Sequence, residues 1–248
     1  MAGIPEFRVE GHVARIELQR PEQANRLEPA DLEALAGYLA EIEANPEILV
    51  VHFASKGKYF CSGYDIGQIG SERTIEFEDV ANAIENCRAV TIAVLQGGVY
   101  GGATDLVLAC DFRIGAEGVD LFMPAARLGL HYYRGGLERY VTRLGLDVAK
   151  RLFLTAERIG APEMKAIGYL THLVPAADLV EEAERLTGRV AGMAPIPLLG
   201  MKRHLNRIAR GTLDVADLER DIERAAQSED LQEGRAAWAG KRPARFTG

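Results

Sequence analysis

The chain has 248 residues, 48% hydrophobic and 26% charged, the balance of an ordinary globular protein able to bury a sizeable core. Its net charge is −7 and it has no basic block, so nucleic acid is not an expected partner. Cys61, Cys87 and Cys110 form no CxxC pair and have no histidine cluster near them, which argues against zinc or a disulfide framework and fits a reducing compartment. The first residues lack a charged stretch followed by an apolar run, so no signal peptide is expected. The longest strongly apolar run, near residues 48–54, is far too short for a membrane span. The expected location is cytoplasmic.

Phe7 and Val9, a turn at Glu10-Gly11, and the alternation of Ala14, Ile16 and Leu18 with Arg15 and Glu17 predict two strands. Leu32, Leu35, Ala36, Leu39 and Ile42 recur at helical spacing between Pro29 and Asn45-Pro46. Residues 48–54 read as a buried strand, followed by a loop from Ser55 to about Gly70 and a helix over 75–87 with Phe77, Val80, Ala83, Ile84 and Cys87 on its packed face. Residues 90–95 read as another buried strand, 103–109 as a short helix, and 112–115 and 120–122 as strands. This order predicts repeated β-β-α units rather than a simple β-α-β wheel. From Leu137 to Trp238 most segments read as helices, broken at Gly145, Gly160-Ala161-Pro162 and Pro195-Ile196-Pro197, with one strand at 172–174. The expected division is a core over 1–190 and a helical region over 191–248.

Two loops stand out because each follows a buried strand, where ligand loops of α/β proteins tend to lie. The first runs Gly57-Lys58-Tyr59-Phe60-Cys61-Ser62-Gly63-Tyr64-Asp65. The second runs Gly97-Gly98-Val99-Tyr100-Gly101-Gly102-Ala103-Thr104-Asp105 and opens a helix, whose first N–H groups lack intrahelical partners. Either loop alone reads as a glycine turn. Neither GxGxxG nor GxxxxGK[ST] is present, so a nucleotide fingerprint is excluded.

As an ordered set, the motifs resemble the crotonase family, also called the enoyl-CoA hydratase/isomerase superfamily. The resemblance rests on Arg20-Pro21-Glu22-Gln23-Ala24-Asn25, residues 60–66, residues 100–105 with Cys110-Asp111, Phe122-Met123-Pro124 with Leu128-Gly129-Leu130, and residues 228–234 with Lys241-Arg242-Pro243. It implies an α/β fold, a crotonase-like spiral of β-β-α units, with a helical C-terminal region that builds a homotrimer or a dimer of trimers. It implies an acyl-CoA substrate, with coenzyme A as part of that substrate and no permanently bound cofactor or metal. The thioester oxygen would accept from the backbone N–H groups of Tyr64 and Gly102. Ala24, Arg26, Ser62 and Tyr64, with Lys241 and Phe246 from the tail, would contact coenzyme A.

Hydratases of this family use two glutamates. Their positions here hold Asp105 and Ala125. Asp105 is the first candidate acid–base group, against a structural reading as a helix first-turn carboxylate. Tyr132 stands where some decarboxylating members carry an active-site tyrosine, whereas Tyr133 reads as packing and His131 as a hydrogen-bonded or surface residue. The expected function is turnover of an acyl-CoA thioester through an oxyanion-stabilised enolate. The alternatives are a decarboxylase of a malonyl-type CoA ester and a non-catalytic acyl-CoA-binding member.

Overall fold

The structure is a computed structural model that describes residues 3–68 and 74–248; the end of the loop read to Gly70 lies outside the described residues. Strands β1 (Glu6–Glu10) and β2 (Val13–Leu18) form an antiparallel hairpin with Phe7 opposite Ile16. Ala14, Ile16 and Leu18 are buried while their neighbours in β2 are partly exposed, as a period of two requires. Helix α1 (Pro29–Ala44) starts on its proline and buries Leu32, Leu35, Leu39 and Ile42. Strand β3 (Val50–Ser55), helix α2 (Phe77–Asn86) and strand β4 (Val90–Leu95) follow. Next come β5 (Val99–Tyr100), α3 (Ala103–Ala109), β6 (Phe112–Ala116) and β7 (Asp120–Phe122).

The second half contains α4 (Arg134–Leu144), α5 (Leu146–Thr155), β8 (Arg158–Gly160), α6 (Ala161–Ala166) and β9 (His172–Val174). Four helices end the chain: α7 (Leu179–Ala191), α8 (Pro195–Ala209), α9 (Val215–Ala226) and α10 (Glu229–Ala239). The main sheet runs β1-β2-β3-β4-β6-β9 and is parallel from β2 onward. A smaller sheet, β5-β7-β8, takes the second strands of later units. This arrangement is the β-β-α spiral the sequence predicts.

Two strands escape the sequence reading. β8 pairs antiparallel with β7, but three residues with only Ile159 buried are too short to reveal a period. β5 is two residues long and sits inside what reads as a loop. Helix α7 lies against β3, β4 and β6, whereas α8, α9 and α10 pack on one another. Lys202 of α8 reaches back to the core, with Nζ 2.6 Å from Asp111 Oδ2 and from the Ala89 carbonyl. Among the described residues no helix is long and apolar enough to cross a membrane.

Candidate active site

β3 and β4 are parallel neighbours, so the loops that leave their carboxyl ends emerge side by side. Cys61 bridges to Val99, and the Tyr100 N–H donates to the Cys61 carbonyl at 2.9 Å. The approach is tightest at the glycines. A Cβ on Gly63 would stand 2.8 Å from the Tyr100 oxygen and 3.2 Å from the Gly102 nitrogen, and Gly63 has φ +99°. Both facts require glycine there. The sequence reading of two cooperating loops thus has a physical basis: residues 63 and 102 are in backbone contact.

A third segment is knitted to them. The Ser62 N–H donates to the Ala24 carbonyl, Leu27 to Gly63 and Asp65 to Leu27, each at 2.9 Å. Asn25, 1% exposed, pins this segment. Its Oδ1 accepts from the Arg20 N–H, and its Nδ2 donates to the carbonyls of Lys56 and Tyr59. Ala24 and Asn25 both take φ 51°, a conformation asparagine tolerates better than most residues. Sequence reasoning placed Asn25 in the motif but missed this anchoring role.

Tyr64 and Gly102 are therefore brought together. Gly102 caps the start of α3, and among the described residues no carbonyl accepts from its N–H. A residue the sequence reading left as helix packing, Phe77, sits at this junction. A Cβ on Gly102 would meet its ring at 2.8 Å, and the Tyr64 ring lies edge-on to it with centroids 5.9 Å apart.

Asp105 lies in α3 and is 0% exposed. Its Oδ2 accepts from Arg139 Nη1 at 2.5 Å and from the Tyr133 hydroxyl at 2.5 Å. Its Oδ1 has no hydrogen-bond partner among the described residues. Burial pushes this carboxyl above the ordinary carboxylate range, against the Arg139 guanidinium and the Tyr133 hydroxyl, which pull it down. Arg139, also 0% exposed, faces Asn82 at 2.9 Å and Glu85 at 3.2 Å on α2. Glu85 in turn holds Arg210 at the end of α8, which also reaches Glu138 and the Gly135 carbonyl. Arg139 carries no signal in the sequence, because an arginine in an amphipathic helix ordinarily faces water.

The two tyrosines differ in their contacts with Asp105. The Tyr133 hydroxyl is the one on Asp105, while the Tyr132 hydroxyl reaches only the Tyr133 oxygen, at 3.4 Å. Their rings stack with centroids 4.4 Å apart, and the Tyr133 ring continues to Phe77 at 6.2 Å. Packing is thus a correct but incomplete reading of Tyr133. His131 is exposed and its Nδ1 lies 2.8 Å from the Tyr132 carbonyl. Ala125 is buried and offers no acid.

The coenzyme A candidates divide. Ala24 and Ser62 share the hydrogen bond that joins the early segment to the first loop. Arg26 sits beside them, with Nη2 3.4 Å from Glu28 and 3.5 Å from Asp65. Lys241 is exposed past α10, and Phe246 lines a cavity of about 870 Å³ between the C-terminal helices and the far side of the core, with His12, Pro46 and Arg88. That cavity does not include the two glycine loops. Among the described residues no group of three or more His, Cys, Asp or Glu is placed to hold a metal.

The family model for enoyl-CoA hydratase/isomerase matches residues 8–248. The chain belongs to this family, the crotonase superfamily. Its members act on acyl-CoA thioesters. A Bacillus subtilis protein described as an enoyl-CoA hydratase/isomerase is 30% identical, the match covering 96% of this chain and 95% of that protein. The methylmalonyl-CoA decarboxylase of Escherichia coli is 27% identical, over 95% of each chain. The crystal structure of an enoyl-CoA hydratase from Bacillus anthracis superposes with a TM-score of 0.89 at 29% identity, covering 98% of this chain and 99% of that one. The expected crotonase fold with a helical C-terminal region is the fold found.

Proposed function

We propose that this crotonase-family chain decarboxylates a malonyl-type CoA ester through a thioester enolate held by the backbone N–H groups of Tyr64 and Gly102. The observation that carries the reading is the state of the two positions where family hydratases place glutamates. Asp105 is sealed against Arg139, and Ala125 has no acid at all. Two carboxylates that hold and activate one water are therefore missing.

Decarboxylation needs neither that water nor a strong base. The bond from Cα to the free carboxylate breaks, its electron pair enters the thioester, and carbon dioxide leaves. The enolate oxygen is stabilised by the two N–H groups; one such donor is typically worth about 3 kcal/mol in the transition state. The enolate then re-forms the carbonyl as Cα takes up a proton. In this reading the Tyr133 hydroxyl gives its proton to Cα and recovers one from solvent, while Asp105, which accepts from that hydroxyl, and Arg139 fix its position. Burial and the neighbouring Asp105 carboxylate hold the Tyr133 phenol well above its ordinary range, so it stays protonated at neutral pH. Likeness to a named methylmalonyl-CoA decarboxylase supports the same chemistry.

Ala24, Ser62 and the Tyr64 backbone form the coenzyme A side of the site in this proposal. Lys241 and Phe246 would serve only from a neighbouring copy, because Phe246 lines the far-side cavity of its own chain. A homotrimer, or a dimer of trimers, is supported by the exposed Met201, Leu205 and Ile208 of α8, Val215 and Ile222 of α9, and Trp238 of α10. Mass spectrometry of products from enoyl-, hydroxyacyl- and malonyl-type CoA esters tests the reading. Loss of carbon dioxide from the malonyl-type esters supports it, and hydration of the enoyl esters alone overturns it.

A further inference from the structure

Phe77 is the first residue of α2 and is 9% exposed. Its ring is boxed on three sides. The Gly102 Cα lies behind it, so close that a Cβ there would meet Cζ at 2.8 Å, Cε1 at 3.1 Å and Cε2 at 3.3 Å. The Tyr64 ring meets it edge-on at 5.9 Å, and the Tyr133 ring flanks it at 6.2 Å.

The ring has little freedom to leave. Tyr133 is stacked on Tyr132, which packs in turn on Phe153 at 4.9 Å, so that side of the box is backed by core. The backbone that carries Phe77 is fixed by the start of α2, where the Asp79 carboxylate accepts from the Glu76 N–H at 3.0 Å. One turn further on, Val80, Ala81 and Ile84 are buried and anchor the helix.

Phe77 touches both residues of the proposed thioester site, Gly102 and Tyr64, so an acyl group held there would lie beside its ring. We propose that Phe77 sets the depth of the acyl pocket and restricts the substrate class to short acyl thioesters, malonyl or small 2-alkyl malonyl groups among them. The proposal rests on the thioester reading above. The physical reason is steric. A well-packed aromatic ring yields to an inserted chain only by forcing neighbours off their rotamers. An apolar chain long enough to reach the Phe77 ring must displace it or turn out into water.

The test is binding of propionyl-CoA and octanoyl-CoA to the full chain by titration calorimetry, in the unaltered protein and in Phe77→Leu and Phe77→Ala. The unaltered protein is expected to bind propionyl-CoA at least about tenfold more tightly than octanoyl-CoA. Both variants are expected to narrow that ratio, Phe77→Ala most. Phe77→Leu keeps most of the apolar volume and carries the test if Phe77→Ala does not fold. Equal affinity for the two esters in the unaltered protein, or an unchanged ratio in the variants, overturns the role of Phe77. Failure to bind either ester overturns the thioester reading itself, and with it this proposal; the two failures are distinct.

Discussion

Arg139 Nη1 lies 2.5 Å from Asp105 Oδ2, and both side chains are 0% exposed. A carboxylate so placed is first an ion-pair partner. Removing one member of a buried pair strands the other charge, at a cost of about 3–5 kcal/mol. Arg139→Met is therefore expected to lower the unfolding free energy by about 4 kcal/mol in urea titrations. The double replacement, Arg139→Met with Asp105→Leu, is expected to cost less than the sum of the single changes, since no lone charge remains. Strict additivity would contradict the pairing.

The hydroxyls of Tyr132 and Tyr133 make different contacts, and their removal should have different effects. Tyr133→Phe deletes the donor on Asp105 and is expected to lower kcat about a hundredfold with KM little changed. Tyr132→Phe loses only a 3.4 Å contact and is expected to cost much less. Steady-state kinetics on one malonyl-type ester compares them. Equal losses, or a larger loss for Tyr132→Phe, would return the leading role to Tyr132.

Gly63 is held by the opposite loop as well as by its own φ. Gly63→Ala places a Cβ 2.8 Å from the Tyr100 oxygen at φ +99°, so the loops must part. The expected cost is about 1–3 kcal/mol of stability together with a large loss of kcat, because parting the loops would separate the Tyr64 and Gly102 N–H groups proposed to hold the thioester oxygen. Denaturant titration and turnover on the same preparation check both. A fully stable, fully active variant would mean that loop contact is dispensable.

His52 sits in β3, 7% exposed, and its pKa is lowered to about 4, chiefly by burial and next by Arg15. The unfolded chain takes up this proton near pH 6.5, while the folded chain resists until about 4. The stability associated with neutral His52 is thus present above pH 6.5 and lost as pH falls through that window. The full loss is about 3 kcal/mol. His52→Gln is expected to flatten the stability profile between pH 6.5 and 4, measured by thermal melts across that range. An unchanged slope would assign the acid sensitivity to other groups.

Much of the fold is legible in the sequence because its elements are regular. β4 and α3 fall on the residues their patterns indicate, since one is an unbroken apolar run and the other begins at paired glycines. β8 is illegible because three residues with one buried side chain carry no period. The pairing of the two glycine loops is legible through glycine order, and Gly63 against Gly102 is the contact that order encodes. The network behind Asp105 is not. Arg139 lies 34 residues from Asp105, and Glu85 and Arg210 lie 125 residues apart, so only the folded chain brings these charges together. Phe77 was hidden for a simpler reason: at helical spacing with Val80 and Ile84 it has the pattern of ordinary core.

Following the free carboxyl carbon of a labelled malonyl-type CoA ester separates decarboxylation from hydration in one experiment. One labelled carbon dioxide is expected for each decarboxylated acyl-CoA formed, with no 3-hydroxyacyl-CoA made from an enoyl-CoA under the same conditions. Hydration of the enoyl ester with no release of label would contradict it, and would mean that Asp105 activates water without a second carboxylate.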